Sequence, residues 1–181
     1  ISPEKGDVWV AGYNMRKNSL EAREKIGYLP ENIPLYSDMT IRSYLSFAAR
    51  LRGLERNQVQ KSIDEVVEVC RLGEYIDVLT GKLSKGFRQR VGIAQAIIHD
   101  PELLIVDEPS NGLDQEHRGF MLDTLFNIVK DGGRSILMSS HLMDDVQIVC
   151  DRVIMIHKGR VVVHRRIEDL ARQIDREIEI S

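Results

Sequence analysis

Apolar and polar positions along this chain repeat with two periods, and the changes of period mark its elements. Residues 7–12, Asp-Val-Trp-Val-Ala-Gly, alternate and end at glycine, which predicts a short strand and a turn. Ile26–Leu29 predicts a second strand, stopped by Pro30. Asn32, Pro34 and Asp38 make residues 31–39 a loop. From Thr40 to about Leu79 the period becomes helical. Ile41, Tyr44, Leu45 and Ala48 recur behind Thr40, a residue suited to cap a helix. Val59, Ile63, Val66, Val67 and Cys70 form a second apolar stripe. Nothing in residues 40–80 carries a strand pattern, so an all-helical insert is expected within a mixed chain.

Beyond that insert, strand and helix patterns alternate. A helix is expected from about Ser84 to His99, with Val91, Ala94 and Ile98 on one face. The unbroken run Leu103–Asp107 suits a central strand covered on both faces. Residues 115–130 predict a helix through Met121, Leu122, Leu125, Ile128 and Val129, ended by Gly132-Gly133. Arg134–Met138 predicts a strand and Leu142–Cys150 a short helix. Val153–His157 and Arg160–Val163 flank Lys158-Gly159, which suits a hairpin. Ile167–Ile174 predicts a last helix, and Glu177–Ile180 a further strand. This alternation argues for an α/β fold with a parallel sheet. No internal repeat or long linker is visible.

Composition narrows the class. At 181 residues, with 43% apolar and 29% charged positions, the chain suits one globular domain or a domain with a small insertion. A collagen-like or wholly disordered chain is excluded. A net charge of −3 gives no overall basic footprint, so no nucleic-acid partner is expected. Cys70 and Cys150 stand far apart without a CxxC pair, so two buried, reduced thiols and a cytoplasmic location are expected. The apolar runs Leu103–Val106 and Val161–Val163 fall far short of the roughly 20 residues a spanning helix needs. The first residues lack a methionine and an apolar leader core, so the chain is expected to start within a longer protein.

Four segments carry chemistry. Leu103–Pro109 ends a buried strand in two adjacent carboxylates, at the sheet end where open α/β folds bind ligands. Asp107 can hold a hydrated Mg²⁺ and Glu108 can orient and deprotonate water. The plainer reading is a strand running into an acidic loop. Ser84 precedes a helix, and Gly86 lets a phosphate approach the backbone N–H groups of its first turn. The plainer reading is an ordinary serine cap. His141, past the end of strand 134–138, can donate to a phosphate oxygen, or it is simply a surface histidine. Ser110-Asn111-Gly112-Leu113-Asp114 reads as a turn with Asp114 capping the next helix, whether or not it has a further role.

Taken together, in this order and spacing, these segments resemble the ATP-binding cassette (ABC) ATPase family. Leu-Ser-Lys-Gly-Phe, residues 83–87, is similar to the family's signature Leu-Ser-Gly-Gly-Gln. Leu103–Glu108 resembles its Walker B strand, Ser110–Asp114 its D-loop, His141 its switch histidine and Ile26–Met39 its Q-loop region. The resemblance covers essentially the whole chain and looks most like ATPase subunits of ABC-2-type exporters. It implies a P-loop NTPase core with a parallel sheet, a small N-terminal antiparallel β portion and an inserted α-helical subdomain. The implied division is 1–30 for the N-terminal β portion and 31–98 for the Q-loop and helical subdomain through the signature helix. Residues 99–166 follow as the catalytic α/β part and 167–181 as a C-terminal extension.

The resemblance further implies ATP and Mg²⁺ as cofactors, and a head-to-tail dimer with an identical or related ATPase subunit. Ser84, Lys85 and Gly86 would meet the partner's nucleotide, Asp107 and Glu31 the metal, Glu108 would be the general base and His141 would hold the γ-phosphate. Asp114 would communicate across the dimer. A transmembrane permease subunit would dock on the helical insert and residues 31–39, placing the protein on the inner face of the plasma membrane. Three departures stand out. Glu31 replaces the Q-loop glutamine. Lys85 and Phe87 replace a glycine and a glutamine of the signature. No G-x-x-x-x-G-K-[ST] occurs in the 181 residues. The phosphate loop and the adenine-stacking aromatic are therefore missing from this chain, which looks like a family member cut after the phosphate-loop helix and inactive alone. Other functions compatible with these features are a soluble ABC ATPase acting on DNA or the ribosome, and a non-enzymatic interaction fragment.

Overall fold

A computed structural model describes residues 5–130 and 132–170. It divides into two compact units, Ile1–Ser139 and Ser140–Ser181.

The first unit opens with a hairpin of β1 (Trp9–Val10) and β2 (Tyr13–Asn14), paired antiparallel. Ala11 and Gly12 turn it, both at positive φ (48° and 81°), the backbone that a two-residue hairpin loop requires. Asn14 is buried, and its Oδ1 accepts the N–H groups of Arg16 (2.9 Å) and Lys17 (3.2 Å). That turn leads into α1 (Ser19–Glu24), which the sequence pattern does not signal. The helix is six residues long and buries only Ala22, too little for a periodic stripe.

A three-stranded parallel sheet follows, in the order β3 (Ile26–Leu29), β4 (Leu103–Asp107), β5 (Ser135–Ser139). β4 is central, as its apolar run predicts. Its two faces differ, however. Leu104 and Val106 are buried, while Tyr28, Ile105 and Leu137 form one cross-strand row whose outer members are exposed. Coverage of both faces is therefore not met among the described residues. On the packed face Gly27 admits helix α4 (Lys85–Ile97): a Cβ there would overlap the Ala96 carbonyl and lie 2.9 Å from Pro101 Cγ.

The insert contains α2 (Ile41–Leu51), α3 (Arg56–Val69) and α4. Thr40 caps α2, its side chain accepting from the Ser43 N–H at 3.2 Å. Glu55 and Gln58 form a capping box at α3. The Tyr44 hydroxyl donates to Gln95 Oε1 at 2.9 Å and ties α2 to α4. The insert is not helical throughout. Short 3₁₀ turns at Gly73–Tyr75 and Thr80–Lys82 flank an extended return, where Leu79 bridges Thr40 antiparallel. The Ile41 and Arg42 N–H groups donate to the carbonyls of Val78 (3.1 Å) and Ile76 (2.8 Å), so this return satisfies the first turn of α2. Helix α5 (Gln115–Lys130) buries Met121, Leu122, Leu125 and Ile128.

The second unit holds α6 (Met143–Val149) and a hairpin of β6 (Arg152–His157) and β7 (Arg160–Arg166). Lys158 (φ 48°) and Gly159 (φ 73°) make its turn as expected, and β7 runs past Val163 to Arg166. Residues 167–170 are helical. The remainder of the helix expected to Ile174, and the strand expected at Glu177–Ile180, lie outside the described residues. Cys70 is buried and Cys150 only half-buried, and both are free thiols. Among the described residues no helix is long and apolar enough to cross a membrane.

Candidate functional site

The carboxyl end of β4 carries the carboxylate pair. Asp107 faces Ser139 across the β4–β5 ladder, and Ser139 Oγ donates to Asp107 Oδ1 at 2.5 Å. The Glu108 N–H donates to both the carbonyl (3.1 Å) and the Oγ (3.2 Å) of Ser139. Glu108 sits at φ 45°, a left-handed backbone that turns the chain out of the strand. The strand thus ends at Asp107. Ser139, one residue of the Ser-Ser-His run, is the organiser that sequence reading passed over in favour of His141.

Glu31 meets the turn that follows β4. Glu31 Oε1 accepts from Asn111 Nδ2 at 2.8 Å, and the Glu31 carbonyl accepts from Gln89 Nε2 of α4 at 3.3 Å. Glu31, Gln89 and Asn111 therefore link three motifs that lie far apart in the chain. Asn111 carried no signal beyond membership of a turn.

The signature turn also meets the D-loop. Ser84 caps α4, its side chain accepting from the Phe87 N–H at 3.4 Å, so the capping expectation holds. The Lys85 ammonium rests against Gly112, where a Cβ would overlap it. Gly86 is buried beneath the His117 ring. Asp114 Oδ1 accepts the His117 N–H at 2.9 Å, as the cap of α5, and both its oxygens lie within 2.9 Å of His117 Nδ1. The backbone N–H and imidazole of His117 hold the Asp114 carboxyl below the usual carboxylate range. His117 was not singled out from sequence, where it reads as one more polar residue on a helix.

His141 is exposed and lies in the second unit, beside an Ser140 Oγ that accepts the Leu142 N–H at 3.0 Å. A cleft of about 1120 Å³ in the first unit, among α3, α4 and α5, is lined by Arg52, Arg90, His99 and Phe120, and by none of the residues named above.

Asp107 and Glu31 each offer hard carboxylate oxygen, a donor type that suits Mg²⁺. Among the described residues no three His, Cys, Asp or Glu side chains gather into a metal cage.

A parallel sheet thus carries an acidic pair at the end of its central strand, next to a helical insert whose serine-capped helix reaches the loop that follows the pair. The ABC transporter family model matches residues 1–111, and the chain belongs to that family. It is 35% identical over 171 residues to the ABC transporter ATP-binding protein NatA of Bacillus subtilis (strain 168), covering 94% of this chain and 69% of that protein. It is 36% identical over 162 residues to the bacitracin transport ATP-binding protein BcrA of Bacillus licheniformis, covering 90% of this chain and 52% of BcrA. Among solved structures it is similar to CbiO1 of Clostridium perfringens, part of the ABC transporter complex CbiONQ, with a TM-score of 0.85 at 26% identity over 99% of this chain and 74% of that one. The chain thus spans about half the length of BcrA.

Proposed function

We propose that this chain is part of an ATP-hydrolysing subunit that powers a membrane transporter, of the exporter type. The observation that carries the reading is the Asp107–Glu108 pair, set at the end of the central strand and organised by Ser139. In this reading Asp107, with Glu31, holds Mg²⁺, and the ion supplies charge stabilisation at the phosphates of ATP. Glu108 accepts the proton of the attacking water. His141 donates to the γ-phosphate. Ser84, Lys85 and Gly86 present hydroxyl, ammonium and backbone N–H groups to the nucleotide of a second subunit, identical or related. Phosphoryl transfer needs positioning and charge stabilisation above all, and these groups supply both once a phosphate cradle is present.

The division at 1–30, 31–98, 99–166 and 167–181 belongs to this reading, with 31–98 gripping a transmembrane permease at the inner face of the plasma membrane. The bacitracin transport relative supports a transport role, and the CbiONQ neighbour, part of an ABC transporter complex, supports a subunit that works within a larger assembly. The acidic balance of the chain supports a partner other than nucleic acid.

The test is phosphate release by the full-length protein. Hydrolysis should require Mg²⁺ and should disappear in Asp107→Asn. Release that persists in EDTA, or that Asp107→Asn leaves intact, would overturn the proposal.

A further inference from the structure

Inside one chain, the signature turn touches the start of α5 through the imidazole of His117. Gly86 is glycine for reasons of space: a Cβ on it would overlap Cδ2 and Cγ of the His117 ring. The ring is not free to withdraw. Its Nδ1 lies 2.8 and 2.9 Å from the two carboxylate oxygens of Asp114. Its other side meets the Phe87 ring edge-on, with centroids 5.9 Å apart. Phe87 is itself held by Tyr75 at 4.1 Å and by the Arg90 guanidinium 4.8 Å above its face. His117 keeps only 19% of its side chain exposed. The imidazole is therefore a wedge, gripped by a carboxylate and an aromatic ring, with the Gly86 backbone against it.

We propose that His117 is a positioning residue, which sets the placement of the signature turn relative to the D-loop. The inference rests on the reading above, in which Ser84, Gly86 and Asp114 act together across a subunit interface. Those residues must reach the second subunit in one fixed arrangement. Within the turn the Ser84 side-chain cap bond is long at 3.4 Å, while the Arg88 N–H donates to the Ser84 carbonyl at 2.9 Å. His117 has only two side-chain torsions and a charge-assisted partner, so it transmits a shift of Asp114 to Gly86 with little slack. Lys85, whose ammonium rests on Gly112, adds a second tether on a longer and looser stem.

An ordinary helix cap would explain less. Asp114 caps α5 through the His117 backbone N–H, a bond that any residue at 117 can supply. The imidazole bond and the overlap with Gly86 need this side chain. Variants that keep the backbone cap and change the ring therefore separate the two roles.

The test is steady-state ATP hydrolysis by the full-length protein carrying His117→Ala, His117→Asn or His117→Gln, with Glu108→Gln as the control for authentic turnover. His117→Ala should lower kcat about tenfold or more, because small misplacements of a positioning group are costly to rate. KM for ATP should stay within about twofold, since the contact acts on the assembled site rather than on nucleotide binding by one subunit. The asparagine Nδ2 occupies the place of the ring Nδ1, so His117→Asn should recover most of the lost rate. His117→Gln puts its nitrogen where Nε2 was and should not. A His117→Ala rate within twofold of the parent would overturn the inference. So would equal losses in the asparagine and alanine variants, or a loss of kcat that follows a fall in Tm. If the alanine variant fails to fold, the asparagine–glutamine contrast decides by the same criterion. A parent without Glu108-dependent hydrolysis sinks the ATPase reading and this inference together, whereas normal Glu108-dependent turnover with an indifferent residue 117 sinks this inference alone.

Discussion

Glu31 and Asn111, 80 residues apart, are joined by a 2.8 Å hydrogen bond from the Asn111 amide to the Glu31 carboxylate. The bond places an acid against the loop that follows β4. Removing either partner should weaken the junction by a similar amount, and removing both should cost less than the sum. A double-mutant cycle with Glu31→Ala and Asn111→Ala, read by denaturant unfolding, should give a coupling of about 1 kcal/mol. Additive losses would show that the contact contributes nothing to the fold.

Glu108 is expected to be the general base. Glu108→Gln in the full-length protein should still bind ATP and should lose roughly 10²–10⁴-fold in hydrolysis, because a carboxamide cannot accept the proton of water. With hydrolysis blocked, ATP should persist at the interface and prolong the dimer, visible on gel filtration with ATP and Mg²⁺. Near-parental turnover would remove Glu108 from that role.

His99 links stability to pH. Its Nε2 lies 3.1 Å from the Ile26 carbonyl, so that nitrogen carries the proton in the neutral ring. Among the described residues Nδ1 is buried without a partner. Burial, and then the nearby Arg52 charge, lowers the pKa of His99 below its ordinary value of 6.5. A group depressed on folding adds stability above the unfolded-state pKa, and that stability is lost as pH falls through the folded-state value. The urea midpoint should therefore drop between about pH 7.5 and pH 5.5, either side of the reference histidine pKa. In His99→Gln, which can still donate to Ile26, the drop should be smaller. Identical pH profiles in the two proteins would contradict this.

Cys70 is fully buried in the insert, and desolvation pushes its thiol up to about 12. The nucleophile in alkylation is the thiolate. Native protein at neutral or mildly alkaline pH should therefore leave Cys70 unlabelled by iodoacetamide, whereas guanidinium-unfolded protein should label it fully. Mass spectrometry of tryptic peptides distinguishes it from half-buried Cys150. Labelling of native Cys70 at the rate of a free peptide thiol would show that the insert opens readily.

Residues 1–181 expressed by themselves should not bind or hydrolyse ATP. Triphosphate affinity in phosphate-loop proteins comes chiefly from backbone N–H groups and one lysine at a helix start, and no such pattern occurs in these residues. Asp107, Glu108 and Glu31 alone present negative charge to a polyanion. Calorimetric titration with ATP and Mg²⁺ should be flat. Micromolar binding would reveal a phosphate site elsewhere in the chain.

The local rules of the chain were enough for most of its elements. Periodicity placed α2, α3, α4 and α5, because each buries a stripe at helical spacing. Lys158-Gly159 announced the second hairpin, and the apolar run before Asp107 announced the central strand. The strand-end acids, the signature serine and the turn before α5 were legible because the chemistry of each depends on residue type and short spacing. Short α1 was not legible, since one buried alanine makes no stripe.

Tertiary structure alone decided which distant residues meet. Asn111 reads as a turn residue, His117 as a helix-surface histidine and Ser139 as the residue just past a strand. Each gains its meaning from a partner brought close by folding: Glu31 for Asn111, Gly86 for His117, Asp107 for Ser139. The reason is physical. A helix or a strand is specified by neighbours within a few residues, where the backbone fixes the geometry, so its pattern is written locally. A hydrogen bond between loops depends on how sheet and helices pack, which is set by the sum of many weak apolar contacts and leaves no local trace at either end.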